Sequence, residues 1–424
     1  ERTVQIRLSK PIPNMEGHLL YHYILPQHIW GRYENSLDTY DNLEMIGSGP
    51  FKVAVYAQDS FIHLQKVADH YLFSPKIEDI VFLAYPDEST LKEGILSGDV
   101  SLILNLPYFE VESLAEDPTI EVVTGLPLYP EFEEIVFNQL APEDCPPFEE
   151  DSSFVLPDDL TLQPCSGHPA LRDHTVRLAL SHAVDKTTLL DQVLRGRGAS
   201  GLSVIPPGLQ DYFDPTLQDY PYDPQQAKDL LDQAGYLDTD GDGVREMPAT
   251  SEEPGRPLSF RLYYLGPDLL FELLLEHLTP MWQEIGIELN IRALDADTII
   301  YLCCPTYDYD MILWGWGVEP EPGNFFNIFD TASIATGGNE SGFSDPDYDI
   351  LNAVQHTETD PAQRLKLITQ LQTIIHTEAV NLVFFYPDAV AAYRPDHFTG
   401  WNLDAPHLAL DNIHSLITLE PATP

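Results

Sequence analysis

The sequence is poor in positive charge: 21 lysines and arginines stand against 68 aspartates and glutamates, a formal net charge of -47. A field of that sign repels nucleic acid and anionic lipid, which excludes a nucleic-acid role. The acids are spread along the chain rather than gathered into a tail, so they read as a solvated surface. Long apolar runs are missing as well, and nothing approaches the roughly 20 residues that a membrane helix requires. There is no Gly-rich loop ending in Gly-Lys-Ser/Thr, no Gly-x-Ser-x-Gly turn and no His-Glu-x-x-His pair, and the 14 histidines form no ligand-spaced cluster. Nothing nominates a nucleophile, and the chain is read as a non-enzyme. Ile46–Val53 (IGSGPFKV) lacks the third glycine and the following helix of a dinucleotide site, so it reads as a tight turn.

Cysteine is scarce, with four in the chain. Cys145 and Cys165 bracket a loop rich in Pro, Asp and Glu with no helical or strand period. A disulfide there would stabilise by roughly 3 kcal/mol through loop entropy and would persist only in an oxidising compartment; two unpaired thiols are the alternative. Adjacent Cys303 and Cys304 read as buried free thiols.

What is present suits a large α/β protein. A chain of 424 residues exceeds the about 250 to 300 at which a single core stops growing, so two or three domains are expected. Ile80–Ala84 reads as a strand, Glu88–Ser97 as a helix capped by Asp87 and stopped by Gly98, and Val100–Leu104 as a strand. Leu258–Leu265, Asp268–Glu284 and Ile287–Leu294 form a βαβ unit with parallel strands. Further helices are expected at Thr175–Leu194, at Pro224–Ala234 between Asp223 and Gly235, and at Pro361–Thr377 after Asp360. Met311–Trp316 and Leu382–Tyr386 read as buried strands. Glu1–Leu8 alternates polar and apolar like a mid-domain strand, with no targeting segment, so an N-terminal portion is expected to precede it.

One loop has the spacing of a metal site. Asp238, Asp240, Asp242, Gly243 and its neighbour Val244, and Glu246 follow calcium-loop positions, with Gly241 at the turn. The bidentate glutamate of position twelve is missing, since Ala249 stands there. The expectation is an optional structural calcium, against a plain Asp-Gly turn; no cofactor is required.

Eight segments taken in order carry a resemblance. They are Ile46–Val53, Tyr85–Gly98 (YPDESTLKEGILSG), Val136–Asn138, His168–Lys186 (HPALRDHTVRLALSHAVDK), Asp223–Tyr236 (DPQQAKDLLDQAGY), Asp308–Trp316 (DYDMILWGW), Gly342–Asp349 (GFSDPDYD) and Tyr386–Trp401. Together they resemble the peptide, dipeptide and nickel-binding family of ABC transporter solute-binding proteins, over nearly the whole chain. The resemblance implies a two-lobed periplasmic-binding-protein-like α/β fold with a hinge and a ligand cleft between the lobes. Residues 1–133 would be the remaining part of lobe one, 134–386 lobe two, and 387–424 the return to lobe one. The family's N-terminal portion has no counterpart here. The implied partners are a peptide-like solute and the membrane permease of an ABC importer, and the implied setting is extracytoplasmic, as a monomer.

In family members that grip a peptide's α-amine, an aspartate shortly after a Gly-Trp supplies the counter-charge. Here that stretch is Gly315–Asn324 (GWGVEPEPGN). Trp316 matches the tryptophan, Glu319 replaces the aspartate, and Glu321 is the competing position. The candidate ligand-binding set is therefore Trp314, Trp316, Gly317, Val318, Glu319 and Glu321. Strand alternation places Trp314 and Trp316 on one face and Gly315 and Gly317 on the other. Tyr129, Tyr386 and Tyr393 lie near expected hinge crossings. The alternatives are a non-peptide solute, an oligosaccharide or chelated metal, on the same fold, and a calcium-dependent acidic interaction module.

Overall fold

A computed structural model describes residues 5–19, 23–33, 42, 45–85, 88–126, 131–148, 154–402 and 412–422. The strands in chain order are β1 (Phe51–Ala57), β2 (Phe61–Lys66), β3 (Asp79–Leu83), β4 (Leu102–Ile103), β5 (Glu121–Leu126), β6 (Glu131–Phe137) and β7 (Gly198–Ser200). Then come β8 (Ser259–Leu265), β9 (Glu288–Leu294), β10 (Met311–Gly317), β11 (Asn381–Pro387), β12 (Ala389–Tyr393), β13 (Phe398–Thr399) and β14 (Glu420–Pro421). The chain divides into two compact units, Glu1–Gly17 with Pro130–Pro387, and His18–Tyr129 with Asp388–Pro424. The sequence reading groups residues 1–133 together, whereas Glu1–Gly17 sorts with the larger unit. One reason is Asn14, whose Nδ2 donates to Glu321 Oε2 at 2.7 Å.

The larger unit is built on a six-stranded sheet in the order β7-β11-β6-β10-β8-β9. β8 runs parallel to β9 and to β10, while β6 runs antiparallel to both β10 and β11. Helix Leu269–Glu284 makes the crossover from β8 to β9, with Asp268 accepting from the amides of Leu270 and Phe271. Its Phe271, Leu274, Leu275, Leu278 and Trp282 are buried, the helical spacing that buries one face. Helices Pro224–Ala234 and Pro361–Thr377 have the expected bounds, with Asp223 and Asp360 as caps and Gly235 left-handed at φ +87°. The expected helix Thr175–Leu194 is instead two, His174–His182 and Lys186–Val193. Asp185 restarts the second by accepting from the amide and hydroxyl of Thr188, which a continuous helix would not permit.

The Cys145–Cys165 disulfide is present, with Cα atoms 5.9 Å apart. The loop it closes is tied to the sheet, because the Cys165 amide donates to Thr306 O at 2.8 Å and the Gln163 amide to Asp308 Oδ2 at 2.6 Å. Asp308 and Asp310 in turn pair with Arg261 of β8, fixing the start of β10. Cys303 and Cys304 are also joined, which corrects the expectation of free thiols. Helix Ala296–Cys303 ends between them, and Cys304 leaves the helical path at φ -139°.

The smaller unit holds the sheets β1-β2-β3 and β4-β12-β5 and the pair β13-β14. Its core is Ile95, Ile103, Leu106, Val111, Leu114, Ile120, Val390 and Ala392. The expected strand Val100–Leu104 pairs only at Leu102–Ile103. β3 and β4 are both edge strands and flank an apolar cavity of about 530 Å³, closed on another side by Phe398, Trp401, Leu416 and Leu419. Residues 5–8 are not a strand, against the alternation read at the chain's start. Asp87 and Tyr129 lie outside the described residues. Among the described residues no helix is long and apolar enough to cross a membrane.

Candidate functional site

β10 carries the candidate residues because of its sequence Met-Ile-Leu-Trp-Gly-Trp-Gly. Its first half is buried apolar strand, and its second half opens, with Trp314 and Trp316 half-buried and Gly315 and Gly317 exposed. The register pairs Trp314 with Glu134, Gly315 with Glu133 and Trp316 with Phe132 on β6. Side chains alternate across a sheet, so two different faces result.

One face is aromatic. The Trp314 and Trp316 rings meet edge to face at 6.0 Å, and Trp316 meets Phe325 in the same way at 5.9 Å. Trp316 Nε1 donates to both carboxylate oxygens of Glu340 at 3.2 Å, whereas Trp314 Nε1 is shut from solvent without a partner. Glu340 in turn contacts Glu134. The other face is bare glycine overlain by acid. A side chain at 315 would meet the Glu133 carboxylate and displace it from over the strand. Glu133 Oε2 is shielded and unpartnered. Burial, with Glu131, Asp268 and Glu134 adding negative charge, pushes the Glu133 carboxyl up to about 8. Burial likewise raises Glu131.

Beyond β10 the six candidates part company. Glu319 is exposed, Val318 is fully buried in the core with Phe132, Phe326 and Phe329, and Gly317 closes the open edge. Glu321 is buried and committed. Arg364 donates to both its oxygens, Asn14 and Tyr212 donate to Oε2 at 2.7 and 3.0 Å, and the Gly323 amide donates to Oε1 at 3.1 Å. Burial alone would raise its carboxyl, but the bonds from Arg364 and Asn14 outweigh it and hold the group below the usual carboxylate range. Of the two competing acids, then, only Glu319 is open to solvent. Tyr386 and Tyr393 are both buried; the Tyr386 hydroxyl donates to Ser203 O at 2.7 Å and accepts from the amides of Leu202 and Ser203.

Sequence reading missed the acids of β6 and Glu340. Glu131, Glu133 and Glu134 lie in EFEEIVF, where alternation alone does not say that Glu134 is interior, and Glu340 sits in a loop with no period at all. The available signal was Glu134 beside an otherwise apolar run.

In the metal-like loop, one carboxylate oxygen each from Asp238, Asp240, Asp242 and Glu246 lies within 4.8 Å of the others. Asp238 also accepts from the amides of Gly241 and Gly243, and Asp242 from the amide of Val244. Gly241 and Gly243 are left-handed, at φ +82° and +98°, which folds the loop back on itself. Glu246 accepts from the Thr239 amide at 2.8 Å.

The family model for bacterial extracellular solute-binding proteins, family 5 Middle, matches residues 1–337. Among curated relatives, "Probable di/tripeptide-binding protein 5" of Pseudomonas aeruginosa is 27% identical over 357 residues, covering 84% of this chain and 59% of that protein. "Oligopeptide-binding protein AppA" of Bacillus subtilis is 24% identical over 385 residues, covering 89% of this chain and 64% of that protein. The chain thus spans about three fifths of the length of these relatives. The solved structure of Bacillus subtilis AppA with a nonapeptide superposes with a TM-score of 0.79 at 22% identity, covering 98% of this chain and 76% of that one. The chain has that α/β periplasmic-binding-protein fold.

Proposed function

The chain belongs to the bacterial extracellular solute-binding proteins, family 5, and from that membership we propose that it captures an oligopeptide or dipeptide for an ABC importer and hands it to the membrane permease. The observation that carries the reading is the open half of β10, where half-buried tryptophans and exposed glycine backbone lead directly to a solvent-facing acid, Glu319. Glycine backbone offers amides and carbonyls to an extended peptide as an added strand would, and this recognition tolerates varied side chains. Capture by lobe closure is a population shift, because solute favours the state in which it has more contacts. An extracytoplasmic setting fits the Cys145–Cys165 disulfide. Native mass spectrometry of the purified chain should release short peptides, and calorimetry should detect binding of trialanine. Absence of both, with a sugar or chelated metal released instead, would move the reading to a non-peptide solute.

We also propose that Asp238, Asp240, Asp242 and Glu246, with the Val244 carbonyl, hold a structural calcium ion. The convergence of four carboxylate oxygens supports this. A ligand bound only by the folded state at 100 times its Kd stabilises by about 3 kcal/mol. Excess chelator is therefore expected to lower the melting temperature by about 5 to 10 °C. An unchanged melting temperature, with no metal by elemental analysis, would leave an ordinary Asp-Gly turn.

A further inference from the structure

Two carboxyl groups lie inside the larger unit, and among the described residues no lysine, arginine or histidine pairs with either. Glu134, in the middle of β6, is fully buried, and Glu340, in the loop after helix Thr331–Ile334, is 3% exposed. Each carboxyl acts on the other, and Glu134 Oε1, shut from solvent, meets no donor. The remaining partners are donors of neutral character: Asn381 Nδ2 gives to Glu134 Oε2, and Trp316 Nε1 gives to Glu340. The titratable groups around the pair are Tyr309 and Tyr307, which lead into β10, and Glu133, next along β6. No lysine, arginine or histidine is among the groups acting on either carboxyl.

An ionised carboxylate only accepts hydrogen bonds, so a bond between two carboxyl groups requires a proton on one of them. Two anions in contact away from water would also repel strongly. Asn381 and Trp316 each donate from outside the pair, which leaves room for one proton between the two groups and no need for a second.

We propose that Glu134 and Glu340 share one proton, and that this proton positions the Trp316 indole on the aromatic face of β10. Glu134 is fixed on a strand flanked by β10 and β11, whereas Glu340 sits on a loop. When the proton leaves, repulsion moves Glu340, and the indole loses its acceptor. Trp316 is thus held by a group that titrates rather than by packing alone. Any consequence for solute capture rests on the proposed peptide-binding role; the positioning of the indole does not.

The sign follows from burial, which with the like-charged neighbour raises both carboxyls above the ordinary glutamate value. Their contribution to stability is complete below that ordinary value, about 4.3, and is lost as pH rises through the folded value. The transition therefore lies on the alkaline side of the usual carboxylate range.

The test is indole fluorescence of the ligand-free full chain titrated upward from acid, for wild type, Trp316→Phe, Glu340→Gln and Glu134→Gln, with circular dichroism recording the fold. The wild type should show a one-proton transition that disappears in all three variants. Infrared difference spectra of the unmodified protein provide a check that needs no variant: the carbonyl band of a protonated carboxyl should vanish at the same midpoint. No indole transition, a transition that survives in either glutamine variant, or no carboxyl band at the midpoint would overturn the proposal. With trialanine as probe, wild-type affinity should fall up to about tenfold per pH unit above the midpoint, while that of Glu340→Gln stays flat across it. If trialanine fails to bind at every pH, the peptide reading fails, and the fluorescence and infrared results still decide the proton.

Discussion

Replacing Arg364 with methionine is expected to destabilise the larger unit by about 3 to 5 kcal/mol, the usual cost of stranding one member of a buried ion pair. Arg364 and Glu321 are both buried, and Arg364 Nη1 donates to Glu321 Oε2 at 3.1 Å while Nη2 reaches Oε1. The guanidinium also joins helix Pro361–Thr377 to helix Pro346–Gln355, since its Nε donates to Gln355 O and its Nη2 to Gln355 Oε1, each at 3.2 Å. A methionine fills much of the volume and supplies none of these four hydrogen bonds. Glu321 would keep Asn14, Tyr212 and the Gly323 amide. These donors place the expected loss at the lower end of the range. Adding Glu321→Gln should recover a large part of it, because the stranded charge is then gone. Glu321 has a lowered carboxyl, so its contribution is present above the ordinary glutamate value and is lost as pH falls through the folded one. The gap between wild type and Arg364→Met should narrow accordingly in acid. Urea melts at neutral pH decide the matter, and a loss under about 1 kcal/mol would show the pair to behave as an exposed one.

The second large effect is on binding. If Glu319 meets the peptide's ammonium in a closed, water-poor site, Glu319→Gln should weaken trialanine binding by about 2 to 5 kcal/mol, since loss of one partner strands the other charge. N-acetylated trialanine should lose a comparable amount with wild-type protein and show little further loss with the variant. Pro320 and Pro322 on either side of Glu321 limit the segment's freedom, so Glu319 is presented rather than free to wander. Glu321→Gln is the informative comparison. Its carboxylate is already taken by Arg364, so its expected defect is in stability, with ligand affinity of the folded protein little changed. Equal affinity of wild type and Glu319→Gln, within the roughly 1 kcal/mol typical of exposed pairs, would remove Glu319 as anchor.

The elements that sequence alone determined are those whose signal is local. Helix Pro361–Thr377 starts where Asp360 caps it and a proline takes the first turn, and helix Pro224–Ala234 stops where Gly235 can turn left-handed. The parallel β8 and β9 follow from an apolar helix between two apolar runs, because such a helix can bury its face only by crossing back over the sheet. The alternation of Trp314, Gly315, Trp316 and Gly317 likewise separates two faces before any partner is known. Cys145 and Cys165 were legible as a pair because they bracket a stretch with no helical or strand period of its own.

Tertiary structure decided everything that depends on which distant residue arrives. Glu319 and Glu321 are two acids in one short run, and nothing local separates them; Arg364 and Asn14, far away in sequence, make one a buried partner and leave the other in solvent. The break between helices His174–His182 and Lys186–Val193 was hidden because the residues across it keep helical apolar spacing. Glu134 and Glu340 stand 206 positions apart by their numbers and come together because Trp316, on the strand beside β6, binds the loop residue Glu340. Sequence patterning records how each segment meets water, whereas the charge that a buried acid can carry is set by the neighbours that folding brings to it.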